Sequence, residues 1–246
     1  MKLALVTGGT SGLGAALATE MKVQGWQVVI MGRRVKPDQG WSMDFTDPVA
    51  CQHIWSKQLP QLSEKPWQSV VLISNAAMVS PIQPMGSCSH AEMTAHIHVN
   101  LVAAMSVVNE VMRHFNNVPM KNIVNVSSGA ATSPLPSWGL YCATKAAMEQ
   151  YIRCIALEQG CCDSPWRVMN YSPGIMDTPM QATIRQTDPQ QFALQKQFQA
   201  YYEEGQLRTP QSVAQDLLAL LHSEAWQSGG TYQVEQWRSS LPSKRP

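Results

Sequence analysis

Concentrated charge is missing from this sequence. Lys and Arg (18) nearly balance Asp and Glu (17), only 14% of residues are charged, and the basic ones are scattered. Nucleic-acid phosphates demand a concentrated basic face, so nucleic acid is excluded as the main partner. Cysteine pairing is missing too. Cys51, Cys88, Cys142, Cys154, Cys161 and Cys162 form no CxxC pair, and no Cys/His spacing suits zinc, so no metal is expected. With 44% hydrophobic residues in 246, the chain needs no disulfide staples, and reduced thiols in a cytosol are the expectation. No apolar run approaches the roughly 18 residues of a membrane span. The opening MKLALVTGG carries only about four apolar residues before a glycine loop, which argues against a signal peptide. Repeats, low-complexity tracts and linkers are also absent. One domain over residues 1–246 is expected.

What is present is an alternation of buried strands and helices. KLALVT (2–7) reads as a buried strand. A helix with Leu13, Leu17 and Met21 on one face follows and ends near Gly25, and QVVIM (27–31) is the next strand. Strand, helix and strand in about 30 residues form a βαβ unit, whose parallel strands need helices on the sheet faces. The pattern continues with a helix at 50–62, a strand at 69–74, one long helix at 90–115 and a strand at 122–126. A helix at 141–158, a strand at 166–171, an amphipathic helix at 211–222 and a last strand at 231–236 complete it. Residues 180–206 read as polar and helical, without a core stripe. The expected fold is α/β: a three-layer doubly wound Rossmann fold with a seven-stranded parallel sheet.

Between the first strand and first helix stands Thr7-Gly8-Gly9-Thr10-Ser11-Gly12-Leu13-Gly14. Glycines there let the backbone approach a pyrophosphate, and the helix N-terminus offers free N–H groups and a positive dipole end. The spacing is TGxxxGxG rather than GxGxxG, and a glycine-rich turn without a ligand is the competing reading; the position after the first strand favours the ligand. At the end of the second strand, where an NAD enzyme carries Asp or Glu, the chain has Gly32, Arg33 and Arg34. A guanidinium pairs well with a 2′-phosphate, so NADPH is favoured over NADH. A solvated arginine pair is the alternative. Asp44 and Phe45, in SMDFTD, lie where a loop can reach an adenine ring, although Asp also caps helices.

SSGAATSPLPSWGLYCATK (127–145) follows a strand, so Ser127 and Ser128 fall at a strand carboxyl end, where open α/β sheets bind ligands. Tyr141 and Lys145 are one helical turn apart and share a face. A nearby ammonium favours the phenolate, so Lys145 is expected to lower the Tyr141 pKa. Such a tyrosine can exchange a proton with a carbonyl oxygen, and a serine hydroxyl can hydrogen-bond that oxygen as charge develops.

These motifs resemble the short-chain dehydrogenases/reductases over essentially the whole chain. The matching elements are TGGTSGLG (7–14), SNAA (74–77), Asn100 in HVNL, NVSS (125–128), YCATK (141–145) and SPGIMDT (172–178). The resemblance implies that Ser128, thirteen residues before Tyr141, polarises a carbonyl and that Tyr141 is the acid/base. It implies that Lys145 holds a nicotinamide ribose, and that Asn100 fixes a water relaying protons to Lys145. Gly8, Thr10, Ser11, Gly12, Leu13, Gly14, Asn75, Ala76 and Ala77 would line the cofactor, as would Tyr141 and Lys145. Pro173 and Gly174 would shape the nicotinamide pocket, with Ile175 and Thr178 near the carboxamide. Where the family has NNAG this chain has Ser74-Asn75-Ala76-Ala77, which adds a methyl beside the adenosine. PGIMDTPMQATIRQT in the variable region is similar to the sepiapterin-reductase-like branch, above all to benzil reductases that form (S)-benzoin. That implies reduction of one carbonyl of a 1,2-dicarbonyl compound.

Trp138 is expected at the site rim, stacking on an aromatic substrate or simply packing. Met176, Met180 and Ile184 have helical spacing and either wall the pocket or pack the core. His90, His96 and His98 read as solvated or capping. Residues 179–206 are the expected lid. The expected partners are a small carbonyl substrate and a second or fourth copy of the chain through the helices at 90–115 and 141–160, with no nucleic acid and no membrane. Two rival readings stand: the same chemistry on a pterin, sugar or hydroxy-steroid, and an NADP(H) sensor without turnover. The sensor would be expected to lack the tyrosine or the lysine.

Overall fold

The computed structural model describes residues 1–223 and 225–234. The strands are β1 (Lys2–Thr7), β2 (Gln27–Gly32), β3 (Gly40–Ser42), β4 (Ser69–Ser74), β5 (Met120–Val126), β6 (Arg167–Ser172) and β7 (Thr231–Gln233). They form one parallel sheet in the order β3-β2-β1-β4-β5-β6-β7. Helices α1 (Gly12–Val23), α2 (Pro48–Ser63), α3 (His90–Ile97), α4 (Ala103–His114) and α5 (Gly139–Gln159) come first. Then follow α6 (Pro179–Arg185), α7 (Gln195–Glu203) and α8 (Pro210–His222).

The central strands are apolar at almost every position because both sheet faces are covered. On one face Leu3, Leu5, Val70 and Leu72 meet Trp55 of α2 and Val107, Val108 and Val111 of α4. On the other, Ala4, Val6, Val71 and Ile73 meet Leu17 and Met21 of α1 and Leu217 and Leu221 of α8. Burying each such side chain stabilises the fold by about 1.5–3 kcal/mol before entropy is counted. Local signals set the helix starts: Asp47 accepts from the Ala50 N–H (3.0 Å) with Pro48 at the first position, and Ser89 and Glu92 form a reciprocal capping box.

The structure departs from the sequence reading in four places. The seventh strand is β3, three residues at the sheet edge, too short to leave an apolar run. The helix expected over 90–115 is broken by a π-helical segment, His98–Val102. Residues 180–206 form two short helices with real anchors, since Ile184, Phe192 and Phe198 are buried. The last strand is Thr231–Gln233; residues 235 and 236 of the expected strand lie outside the described residues. Among the described residues no helix is long and apolar enough to cross a membrane.

Candidate active site

The chain runs outward from β1 to β3, then returns to the other side of β1 with β4, so β1 and β4 flank a topological switch point. A crevice outside their carboxyl ends is where such sheets bind ligands. Thr7 and Asn75 knit the two ends together. The Thr7 hydroxyl accepts from the Asn75 and Ala76 N–H groups (2.9 Å each), and Asn75 Nδ2 donates to the carbonyls of Thr7 (3.0 Å) and Gly8 (3.2 Å).

The glycine loop fits a dinucleotide. Gly8 has φ +65° and its missing Cβ would lie 2.9 Å from the Ala76 Cα; a Cβ on Gly14 would strike the Gly8 carbonyl and the Asn75 side chain. Ser11 sits at the α1 N-cap in an extended conformation, yet its side chain makes no capping bond. The first N–H groups of α1 therefore lack the usual side-chain cap and are open to an anion. Thr10 and Ser11 are exposed, and Gly12 faces the Thr178 side chain. Leu13 is buried in the core, so only its backbone serves the crevice. The Gly8 N–H donates to the Met31 carbonyl (2.8 Å), which brings the end of β2 beside this loop and leaves Arg33 and Arg34 exposed there. Asp44 accepts at Oδ1 from the Thr46 N–H and hydroxyl (2.9 Å each), and these bonds hold its carboxyl below the usual range, with a smaller pull from Arg33. Phe45 is buried in the core cluster that also holds Met31, Met43 and Trp55, so its ring is spent on packing and its backbone is the part left for a cofactor. Ala76 and Ala77 are half-buried at the crevice wall, Pro173 is buried, and Gly174 has φ +71°.

On the other side of the switch point stand Ser128, Tyr141 and Lys145. Ser127 is committed elsewhere: its hydroxyl donates to Glu149 Oε1 at 2.6 Å, and Glu149 Oε2 accepts from Arg153 at 2.8 Å. Ser128 is the serine that acts on Tyr141, as a hydrogen-bond partner lowering the phenol pKa. Burial outweighs it and pushes the Tyr141 phenol up to about 12. The expected lowering by Lys145 does not offset this burial. The Lys145 Nζ donates to the Val126 carbonyl (2.7 Å) and lies 5.6 Å from the Tyr141 ring centroid. Burial lowers the Lys145 pKa to about 8, against an opposing pull from Glu149. At neutral pH the pair is thus a neutral phenol beside an ammonium, an arrangement that can donate a proton to an oxygen.

Asn100 lies in the π-helical segment, buried, with its amide fixed at both ends. Its Oδ1 accepts from the Met78 N–H (2.8 Å) and its Nδ2 donates to the Met78 carbonyl (2.7 Å). Sequence reasoning missed His96. It is fully buried rather than solvated, 2.9 Å from Asn100 Nδ2 and edge-on to Tyr141. A four-residue spacing to Asn100 on one helix was the available signal.

Trp138 packs rather than lining an open rim. It is 5% exposed, stacked on Phe192 (centroids 5.6 Å, planes 4° apart) and edge-on to Tyr141 (5.3 Å). Phe198 and Tyr201 extend this aromatic wall, and Met180 and Ile184 pack against it. Met176 does not join them; it packs with the sheet-face cluster under α8. Ser137, just before α5, adopts φ +64° and ties the wall down, its hydroxyl donating to the Gln191 carbonyl (2.7 Å).

This fold and crevice define a dinucleotide-dependent oxidoreductase of the short-chain type. Residues 2–189 match the family model described as short chain dehydrogenase, and the chain belongs to that family. Among curated relatives it is 30% identical to a benzil reductase ((S)-benzoin forming) of Bacillus subtilis, over 96% of this chain and all of the relative. It is 29% identical to the Bacillus cereus protein of that description, again over 96% of this chain and all of that one. Rat sepiapterin reductase is 34% identical over 66% of this chain and 62% of its own. The solved structure of the KRED1-Pglu enzyme shares the fold, with TM-score 0.81 and 24% identity over 94% of this chain and all of that one.

Proposed function

We propose that this protein is an NADPH-dependent carbonyl reductase that reduces one carbonyl of an aromatic 1,2-diketone such as benzil. The observation that carries this is the buried Tyr141 phenol, held protonated beside Ser128 and walled by Trp138, Phe192 and Phe198. A reduced nicotinamide, if bound in the crevice, would supply the hydride. Ser128 donates to the carbonyl oxygen as charge develops there, and Tyr141 delivers the proton. Lys145 holds the ribose and keeps positive charge beside the forming phenolate, and Asn100 would fix a water that relays protons towards it. The Arg33 and Arg34 guanidinium groups take the 2′-phosphate. Residues 179–206 act as the lid over the substrate. The apolar wall suits aryl groups, and both Bacillus relatives named above are benzil reductases. The likeness to rat sepiapterin reductase favours a pterin substrate as the second reading. All six cysteines are free, in keeping with a reducing cytosol. The outer faces of α4 and α5 are assigned to a homodimer or homotetramer contact.

NADPH oxidation followed at 340 nm with benzil, sepiapterin and simple ketones, and repeated with NADH, tests this. Turnover of benzil with NADPH supports the diketone reading. Turnover of other carbonyls alone keeps the reductase and removes the diketone. Cofactor binding with no turnover of any carbonyl would favour the sensor.

The pH dependence follows from Lys145. Below about pH 8 the ammonium is charged; above it the charge is lost. The kcat/KM for ketone reduction is expected to fall as pH rises through about 8, by roughly tenfold per unit. A plateau continuing to pH 10 would show that the lysine charge is not needed.

A further inference from the structure

We infer that His96 is a positioning residue for the active site, acting as the acceptor that locks the Asn100 amide and fastens the loop after β4. The inference rests on the reductase reading for its kinetic consequence, and on hydrogen-bond logic for its geometry.

The polarity of each bond is fixed. The Met78 N–H can only donate, so the Asn100 atom facing it is Oδ1. Nδ2 then faces both the Met78 carbonyl (2.7 Å) and His96 Nε2 (2.9 Å), and has a proton for each. His96 Nε2 must accept. The other ring nitrogen, Nδ1, lies 2.8 Å from the Ser80 carbonyl, which can only accept, so Nδ1 carries the proton. The required species is the neutral Nδ1–H tautomer. A second proton at Nε2 would set an N–H against the Asn100 NH2 and break the bond.

Three groups on the loop after β4, Met78 N–H, Met78 C=O and Ser80 C=O, are thereby tied to Asn100 and His96. That loop begins with Asn75, Ala76 and Ala77, the crevice wall beside Gly8. Of the titratable groups, Tyr141 and Lys145 face His96 from α5, with ring centroids 6.3 Å apart in the first case. The loop presents only the Ser80 carbonyl. Glu92, on the same helix, is engaged with Ser89. Burial and the Lys145 charge both disfavour a charged imidazole, against the pull of Ser80, and its pKa lies below the ordinary 6.5. The neutral form therefore persists at neutral pH and is lost only as pH falls below the ordinary imidazole range.

Two readouts test this. In 15N-histidine NMR of the intact protein at pH 7.5, His96 is expected as the Nδ1–H tautomer; an Nε2–H resonance overturns the proposal. This arm stands whether or not the protein reduces a ketone, so failure of the reductase reading is told apart from failure here. In kinetics, wild-type kcat is expected to fall on the acid side with a one-proton limb, about tenfold per pH unit. His96→Gln, whose amide can accept from Asn100 but does not titrate, is expected to retain activity at pH 7.5 and lose that limb. An acid limb unchanged in His96→Gln overturns the proposal.

Discussion

Replacing Tyr141 by Phe is expected to lower kcat for ketone reduction by about 10²–10⁴-fold, the usual worth of a positioned acid. The ring would stay where it is, because its edge contact with Trp138 and the apolar surroundings do not involve the hydroxyl. Cofactor affinity and melting temperature should therefore move little, and nicotinamide fluorescence on binding separates lost chemistry from lost fold. The high phenol pKa makes the sign clear: throughout the neutral range Tyr141 is a proton donor, and reduction is the direction it serves in the free enzyme. A Tyr141→Phe protein that kept wild-type turnover would mean that the proton comes from elsewhere and that the site has been misassigned.

The second large effect concerns the cofactor. Arg33 stands exposed where β2 ends beside the glycine loop, and the residue before it is Gly32. A charge-assisted hydrogen bond to a 2′-phosphate is worth about 1.5–3 kcal/mol, so Arg33→Asp should raise the KM for NADPH by roughly 10- to 100-fold. The new carboxylate can accept from a ribose 2′-hydroxyl, so the KM for NADH should fall or hold. The ratio of kcat/KM for the two cofactors measures both changes. If Arg33→Asp leaves the ratio unchanged, the guanidinium is a solvated surface group and the phosphate is held by Arg34 or not at all.

Much of this site was legible in the chain because its chemistry sits at element ends. A strand end followed by TGGTSGLG fixes a loop and a helix N-terminus, and an i, i+4 pair on one helix fixes Tyr141 against Lys145. Of the two adjacent serines, Ser127 is spent on Glu149, while Ser128 is the one beside Tyr141. What was not legible depends on enclosure. The sequence shows that a lysine is near the tyrosine; it does not show that burial dominates both, raising one pKa and lowering the other. Phe45 and Trp138 are aromatic residues at plausible positions, yet one turns into the core and the other is covered by Phe192 and Phe198, because contacts from distant segments decide where a ring finds apolar surface.

The alternation of apolar and amphipathic runs by itself determined the layered sheet, its parallel strands and the glycine-loop crevice, since period and punctuation are local properties carried by neighbouring residues. Tertiary structure alone decided the rest: the three-residue edge strand β3, the π-helical turn that presents Asn100, the aromatic wall closed over Tyr141, and the burial of His96. Each of these arises where segments far apart in sequence meet, and desolvation and hydrogen-bond partnership are set only there.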